Sequence, residues 1–297
     1  MIDLIHYKKI FLGFSIITAI LALVCIVVFG LRPGIDLRGG TNWQLGIQKG
    51  EVNENTIHEL LAKEIKAGEL KVVKGSDGSF LVRAPDMTPE MHDRLLTAMR
   101  TEWGEVQEKN FSTIGPTIGA ELQRKSFLAI ILVLVGISLY IAWAFRKVSE
   151  PVKSWKYGII TLITLFHDVI IPAGLLALLG YTHGVEVDTN SIVALLVVMG
   201  FSVHDTIVVF DRIRENLLHA RGTKKSLGEI INASVNETFA RSVNTSLTLI
   251  IVLVTLLFLG PAPLYYFILT ILIGTVFGTY SSIFVASPLL YLTGKKG

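Results

Sequence analysis

Ile192-Val-Ala-Leu-Leu-Val-Val-Met-Gly-Phe-Ser-Val-His-Asp-Thr-Ile-Val-Val-Phe210 is long and apolar enough to span a bilayer, yet it carries Asp205 inside it. A lone carboxylate in lipid costs about 2.5 to 3.5 kcal/mol on insertion scales, so such a group must face protein, water or an opposite charge. His167 and Asp168 interrupt another apolar stretch, and Arg241 opens a third. These residues form a candidate proton or ion pathway.

The rest of the chain has the composition that such a segment requires. Of 297 residues, 51% are hydrophobic and 17% charged, against about 25% charged for a soluble domain. Mean hydropathy is +0.58. The apolar residues fall in blocks near or above the roughly 20 residues that cross a hydrocarbon core. The expected spans are Ile10–Leu31, Ser126–Phe145, Tyr157–Leu179, Ser191–Phe210, Ser242–Leu259 and Leu264–Leu292. The first follows Lys8 and Lys9 like a signal peptide but has no clear small-residue cleavage site, so it is read as a retained anchor. The single Cys25 allows no disulfide within the chain and no cysteine-based metal site. No phosphate loop, zinc-binding spacing or serine triad is present; Lys49-Gly50 and Gly222-Thr-Lys lack a glycine-rich setting.

With the N-terminus inside, the inner segments hold Lys8, Lys9, Arg146, Lys147, Lys153, Lys156, Arg212, Arg214, Arg221, Lys224, Lys225, Arg241, Lys295 and Lys296. The short outer loops 180–190 and 260–263 hold neither lysine nor arginine, which is the positive-inside pattern and puts both termini in the cytoplasm. Three parts follow: residues 1–31 (N-terminus and first span), an outer domain at 32–125, and a bundle at 126–297 with an inner loop at 211–241. In the outer domain, Thr41–Ile47 reads as a strand, Asn53–Ile65 as a helix, Leu70–Val73 and Phe80–Val82 as strands around a Ser76-Asp-Gly-Ser turn, Thr88 to about Trp103 as a capped helix, and Glu105–Phe111 as the last strand. That order predicts a small α+β ferredoxin-like fold. Residues 211–240 are expected as two short helical stretches broken at Gly222-Thr-Lys-Lys-Ser.

By helical spacing Asp205 shares a face with Ser202 and Val209, with His204 and Thr206 beside it. It lies about 8 Å inside the inner end of its span. Arg241, Asn244, Thr245 and Thr248 make a polar stripe at the start of the fifth span, and Thr161, Thr164 and Asp168 line one face of the third beside His167. Polar stripes in lipid turn toward each other or toward a partner. A carboxylate in low dielectric can take up and release a proton, while a nearby guanidinium stays charged; the competing reading is a static Asp205–Arg241 pair that only fixes packing. Asp211, Arg212, Arg214 and Glu215 read as an interfacial charge cluster. Gly274, Gly278 and Ser282 form a small-residue packing face. Gly39-Gly40 after Asp36, and Gly115-Pro116 with Gly119, mark tight backbone on either side of the outer domain and are candidate hinges.

Several long motifs, in order along nearly the whole chain, resemble the SecF family, membrane subunits of the SecDF protein-export complex. They are Asp36-Leu-Arg-Gly-Gly40, Gly115-Pro-Thr-Ile-Gly-Ala-Glu121, Phe166-His-Asp-Val169, Gly200-Phe-Ser-Val-His-Asp-Thr-Ile-Val-Val-Phe-Asp-Arg-Ile-Arg-Glu215, Arg241-Ser-Val-Asn-Thr-Ser246 and Gly274-Thr-Val-Phe-Gly-Thr-Tyr-Ser-Ser282. The resemblance implies a polytopic α-helical membrane protein of six transmembrane helices, half of a unit related to the resistance-nodulation-division (RND) transporters, in the bacterial cytoplasmic (inner) membrane. It implies SecD as the other half, with the SecYEG channel, a YidC-type insertase, translocating preprotein and the lipid bilayer as further partners, and no nucleic acid. The implied activity is not enzymatic: late steps of preprotein export driven by a proton gradient, or by sodium in some organisms, with no cofactor. Asp205 then matches the family's intramembrane carboxylate and Arg241 its arginine. One departure is His204, where the family usually has asparagine. A structural subunit without ion flux is the alternative, as is a small-molecule exporter, whose relatives carry much larger outer domains.

Overall fold

Among the described residues, six helical stretches of the computed structural model are long and apolar enough to cross a membrane. The structure describes residues 3–47, 52–65, 70–75, 78–146, 152–220 and 222–294. In chain order the elements are α1 (Lys8–Phe29), α2 (Ile35–Arg38), β1 (Gly40–Ile47), α3 (Glu54–Leu61), β2 (Lys71–Lys74), β3 (Phe80–Ala84), α4 (Pro89–Trp103), β4 (Val106–Ile114), α5 (Pro116–Ala144), α6 (Ser154–His183), α7 (Thr189–His219), α8 (Leu227–Leu259), a 3-10 turn (Ala262–Leu264), α9 (Tyr265–Ser281), a π turn (Ser282–Ala286) and α10 (Ser287–Thr293). Two units emerge: Met1–Arg32 with Leu128–Gly297, and Pro33–Phe127.

In the helical unit, α6, α7 and the last span bury half or more of their apolar windows against one another. α1, α5 and α8 leave most of theirs exposed, with Ile17, Val27, Leu132, Leu139, Ile251 and Phe258 among the large apolar side chains on the surface. A helix apolar on its outer face suits lipid or a partner helix. Small residues set the closest approaches. A Cβ on Gly174 of α6 would fall 2.6 Å from the Ala22 backbone on α1, and one on Gly274 of α9 would fall 2.2 Å from Val198 on α7. Gly274 and Gly278 therefore do lie at a helix contact. At one end Phe145, Tyr157 and Phe210 pack as buried rings, the first two stacked at 5.0 Å. At the N-terminus the Asp3 carboxylate accepts the His6 N–H and the Asn232 side-chain amide, which hold it below the usual carboxylate range.

The segment 211–241 is two helical stretches broken around Gly222–Ser226, as expected, but each is the continuation of a span and not a separate short helix. α7 runs without a break past Phe210 to His219, and α8 starts at Leu227, so only a short turn separates them. Ile213 and Leu217 on α7 and Ile230, Ile231 and Val235 on α8 are buried in the same core as the spans. The apolar stripe continues beyond the membrane-length window, so both helices keep packing and nothing forces a stop. Ser226 and Glu229 cap α8 reciprocally, and Asp188 with Ser191 does the same for α7. α5 likewise starts at Pro116, well before the expected Ser126. Of the charged residues in the orientation pattern, Lys147, Arg221, Lys295 and Lys296 lie outside the described residues, as do Lys49-Gly50.

In the Pro33–Phe127 unit, the elements follow the order strand, helix, strand, strand, helix, strand after the short helix α2, which the sequence did not suggest. The sheet order is β2-β3-β1-β4 with every neighbouring pair antiparallel. β1 pairs Trp43 with Val82 on β3 and with Phe111 on β4. Alternate β1 residues Trp43 and Leu45 are fully buried with Ile57 and Leu61 of α3 and Leu95 and Met99 of α4. Trp43 Nε1 donates to Glu108 at 2.8 Å, which satisfies the indole inside the core. Asn53 caps α3 and Thr88 caps α4, as their positions predict. Residues 76 and 77 of the expected Ser76-Asp-Gly-Ser turn lie outside the described residues.

Candidate functional site

Asp168 of α6 is fully buried. Its Oδ2 accepts Ser202 Oγ from α7 and Ser281 Oγ from α9, both at 2.5 Å, and its Oδ1 lies 2.8 Å from His167 Nδ1. The second ring nitrogen of His167, Nε2, is buried without a partner among the described residues. Pro172 stands four residues after Asp168 inside α6 and has no N–H to give the Asp168 backbone carbonyl. Small neighbours let these helices meet: a Cβ on Gly278 would touch both Ser202 and the Asp168 carboxylate.

Asp205 of α7, 4% exposed, accepts Ser282 Oγ at 2.7 Å. Ser242 of α8, also buried, faces the same carboxylate. Thr206 beside it is fully buried with an unpartnered hydroxyl. Ser282 opens the π turn, a local loosening of helical register that recurs at functional sites. Thr279 donates to Ser246 at 2.6 Å and so extends the polar layer from α9 to α8. Among the described residues, neither carboxylate meets a lysine or arginine.

The expected Asp205–Arg241 pairing is not found. Arg241, Asn244 and Thr245 are exposed, on the outward side of α8. Ser242 and Ser246, between them in sequence, face inward and are buried. The i, i+3, i+4 spacing identified a real stripe, but a helix with two polar faces gives no sign of which one meets its neighbour. Arg241 instead lines a charged recess with Asp211, Arg212, Glu215, Glu237 and Thr238. The expected cluster holds together there: Arg212 bonds Glu215 and Glu237, each at 2.6 Å, and Arg214 bonds Asp211 at 2.8 Å. Glu237 was missed because it sits on another helix. His204 points to the exposed side, away from the serine-lined core. Thr161 and Thr164 are buried but spend their hydroxyls on carbonyls of their own helix. Ser281, the donor to Asp168, is not singled out by the sequence because serine in an apolar span reads as packing. Among the described residues, no three His, Cys, Asp or Glu side chains gather as a metal site.

The glycine motifs come together within the Pro33–Phe127 unit. A Cβ on Gly119 would fall 2.4 Å from Gly39 N, and one on Gly39 would fall 2.7 Å from Pro116 Cα. Gly39 has φ +80° and Gly40 φ +128°. Gly115 lies beside the Asp86 carboxylate.

An apolar bundle enclosing serine-bound carboxylates, with a separate α+β unit, defines an integral membrane protein of the transport-associated class. The chain belongs to the SecF family of protein translocase subunits. Residues 95–296 match the family described as protein export membrane protein SecD/SecF, C-terminal. The chain is 41% identical to the protein translocase subunit SecF of Thermobaculum terrenum, over 98% of this chain and 93% of that protein. It is 34% identical to SecF of Sebaldella termitidis, over 98% and 91%. It is also similar to the crystal structure of SecDF, a translocon-associated membrane protein from Thermus thermophilus, with a TM-score of 0.82 and 32% identity over 98% of this chain. A super-membrane-facing form of SecDF gives a TM-score of 0.68. This chain spans 38% of the length of that SecDF chain.

Proposed function

We propose that this chain works with SecD as half of an ion-driven unit that promotes late steps of preprotein export through SecYEG, beside a YidC-type insertase. Asp205 carries the reading: an almost fully buried acid on an apolar helix, held by Ser282 and faced by Ser242, with no lysine or arginine among the described residues to fix its charge. Such a group can change protonation state as water reaches it from one side or the other. The exposed Arg241, Asn244 and Thr245 stripe on α8 is polar within a span, so it needs a covering surface, and SecD is the partner that would supply one. His167 and Asp168 belong to the same pathway. The lysine and arginine bias supports an inner-membrane protein with both termini cytoplasmic. In that orientation the Pro33–Phe127 unit is extracytoplasmic, and its element order and sheet support a ferredoxin-like domain.

The test is export in sealed vesicles that contain this chain, SecD and the channel, with a proton gradient and a sodium gradient imposed separately. Export is expected to rise under the proton gradient and to stay at its ungated level under sodium alone. Equal export with either gradient and with none would leave only a structural role in the complex.

His204 is a second point of test. It lies next to Asp205 in sequence and is exposed. An imidazole ring nitrogen can take up a proton and pass it on, as an amide cannot. His204→Asn is expected to change the dependence of gradient-driven export on pH. An unchanged profile removes His204 from the relay.

A further inference from the structure

Two adjacent residues, Ser281 and Ser282, each donate to a different buried carboxylate. Ser281 Oγ lies 2.5 Å from Asp168 Oδ2, and Ser282 Oγ lies 2.7 Å from Asp205 Oδ2. Each also has a second acceptor within reach. Ser281 Oγ is 3.1 Å from the carbonyl of Gly278, and Ser282 Oγ is 2.9 Å from the carbonyl of Thr279. A hydroxyl has one hydrogen, so it bonds the carboxylate or the carbonyl, not both. An ionised carboxylate only accepts and draws that hydrogen; a protonated one can donate its own O–H to the serine oxygen, which frees the serine hydrogen for the carbonyl.

We propose that Asp168 and Asp205 bind protons as one coupled site, with the Ser281–Ser282 pair as the link between them. This deepens the ion-driven reading above and rests on it. The two serines share one peptide unit, so a hydroxyl and backbone adjustment at one displaces the other. The junction can yield, because α9 passes into the π turn at Ser282. Ser202 adds a second connection: it donates to Asp168 and lies one helical turn from Asp205 on α7. The other titratable groups near the pair are His167, on Asp168, and His204, beside Asp205. In each switch a proton from water adds to a carboxylate oxygen and only hydrogen bonds are exchanged.

The experiment follows carboxyl protonation by infrared difference spectroscopy against pH, in the complex with SecD in bilayers, with each band assigned by Asp168→Asn or Asp205→Asn. Ser281→Ala removes a hydroxyl that bonds Asp168 and not Asp205. It is expected to shift the titration of Asp205 as well, by a fraction of the roughly 1–2 pH units that direct loss of one charge-assisted hydrogen bond is worth. Ser282→Ala is expected to do the reverse, moving Asp168. In the Asp168→Asn background Ser281→Ala should no longer move Asp205, which separates coupling from general disturbance of packing. Ser281→Cys keeps the volume with a weaker donor and should give a smaller shift in the same direction. Independent titrations, or a Ser281→Ala shift that persists with Asp168→Asn, overturn the coupling while export that needs Asp205 leaves the ion-driven reading standing. Bands that never titrate, with export indifferent to Asp205→Asn, overturn both.

Discussion

Asp205→Asn is expected to bring gradient-driven export down to the level seen without a gradient, with SecD association and abundance unchanged. The substitution keeps the shape of the side chain, and the asparagine carbonyl oxygen can still accept the Ser282 hydroxyl. What disappears is the ability to take and release a proton. A potential of 100 mV is worth about 2.3 kcal/mol per proton, a bias of roughly fiftyfold in a conformational equilibrium, and the variant forfeits it. The measurement is processed preprotein in vesicles with and without an imposed gradient, alongside co-purification with SecD. Wild-type gradient dependence in the variant would falsify the role of Asp205, whereas loss of SecD association would show that the residue holds the assembly together.

Gly119→Ala is expected to be the most damaging single methyl in the Pro33–Phe127 unit. The added carbon would sit 2.4 Å from Gly39 N and 2.9 Å from Arg38 C, and both are backbone atoms that cannot rotate aside. Relief requires the start of α5 to move away from the α2–β1 turn, where Gly39 already needs positive φ. Overpacking of this kind costs about 1–3 kcal/mol and sometimes more. Gly136→Ala on the same helix is the control: nothing lies within 4 Å of its Cβ position, and alanine favours the helix by about 1 kcal/mol. Thermal unfolding in detergent should fall sharply for the first variant and hold or rise for the second. Equal midpoints would mean that α5 and the α2–β1 turn do not pack this closely.

The spans were legible because an apolar run of membrane length has few other physical uses, and the strands and helices of Pro33–Phe127 because caps and alternation marked them. Helix ends were harder. At Phe210 the hydropathy falls, yet Ile213 and Leu217 continue the buried stripe, and packing rather than polarity sets where α7 stops. At the site, Asp205 and Asp168 stood out because ionisable groups are costly in lipid. Their partners did not. Serine is small and mildly polar, fits any helix interior, and its role depends on which neighbour it faces. Arg241 misled for the opposite reason: opposite charges at matching depth suggest a pair, but α8 turns Ser242 toward the acid and Arg241 away. Rotation about a helix axis is a tertiary property that one sequence does not carry.

α7 has 31 residues, about 46 Å at the usual rise, whereas the hydrocarbon layer is about 30 Å deep. The surplus emerges at the Arg212 end, where Arg212 and Asn216 clasp Glu237 on α8. A rod that stiff has no joint at which to absorb a twist. A displacement of its middle, where Asp205 sits, is therefore carried along the rod to its tip, and the Glu237 clasp hands it on to α8.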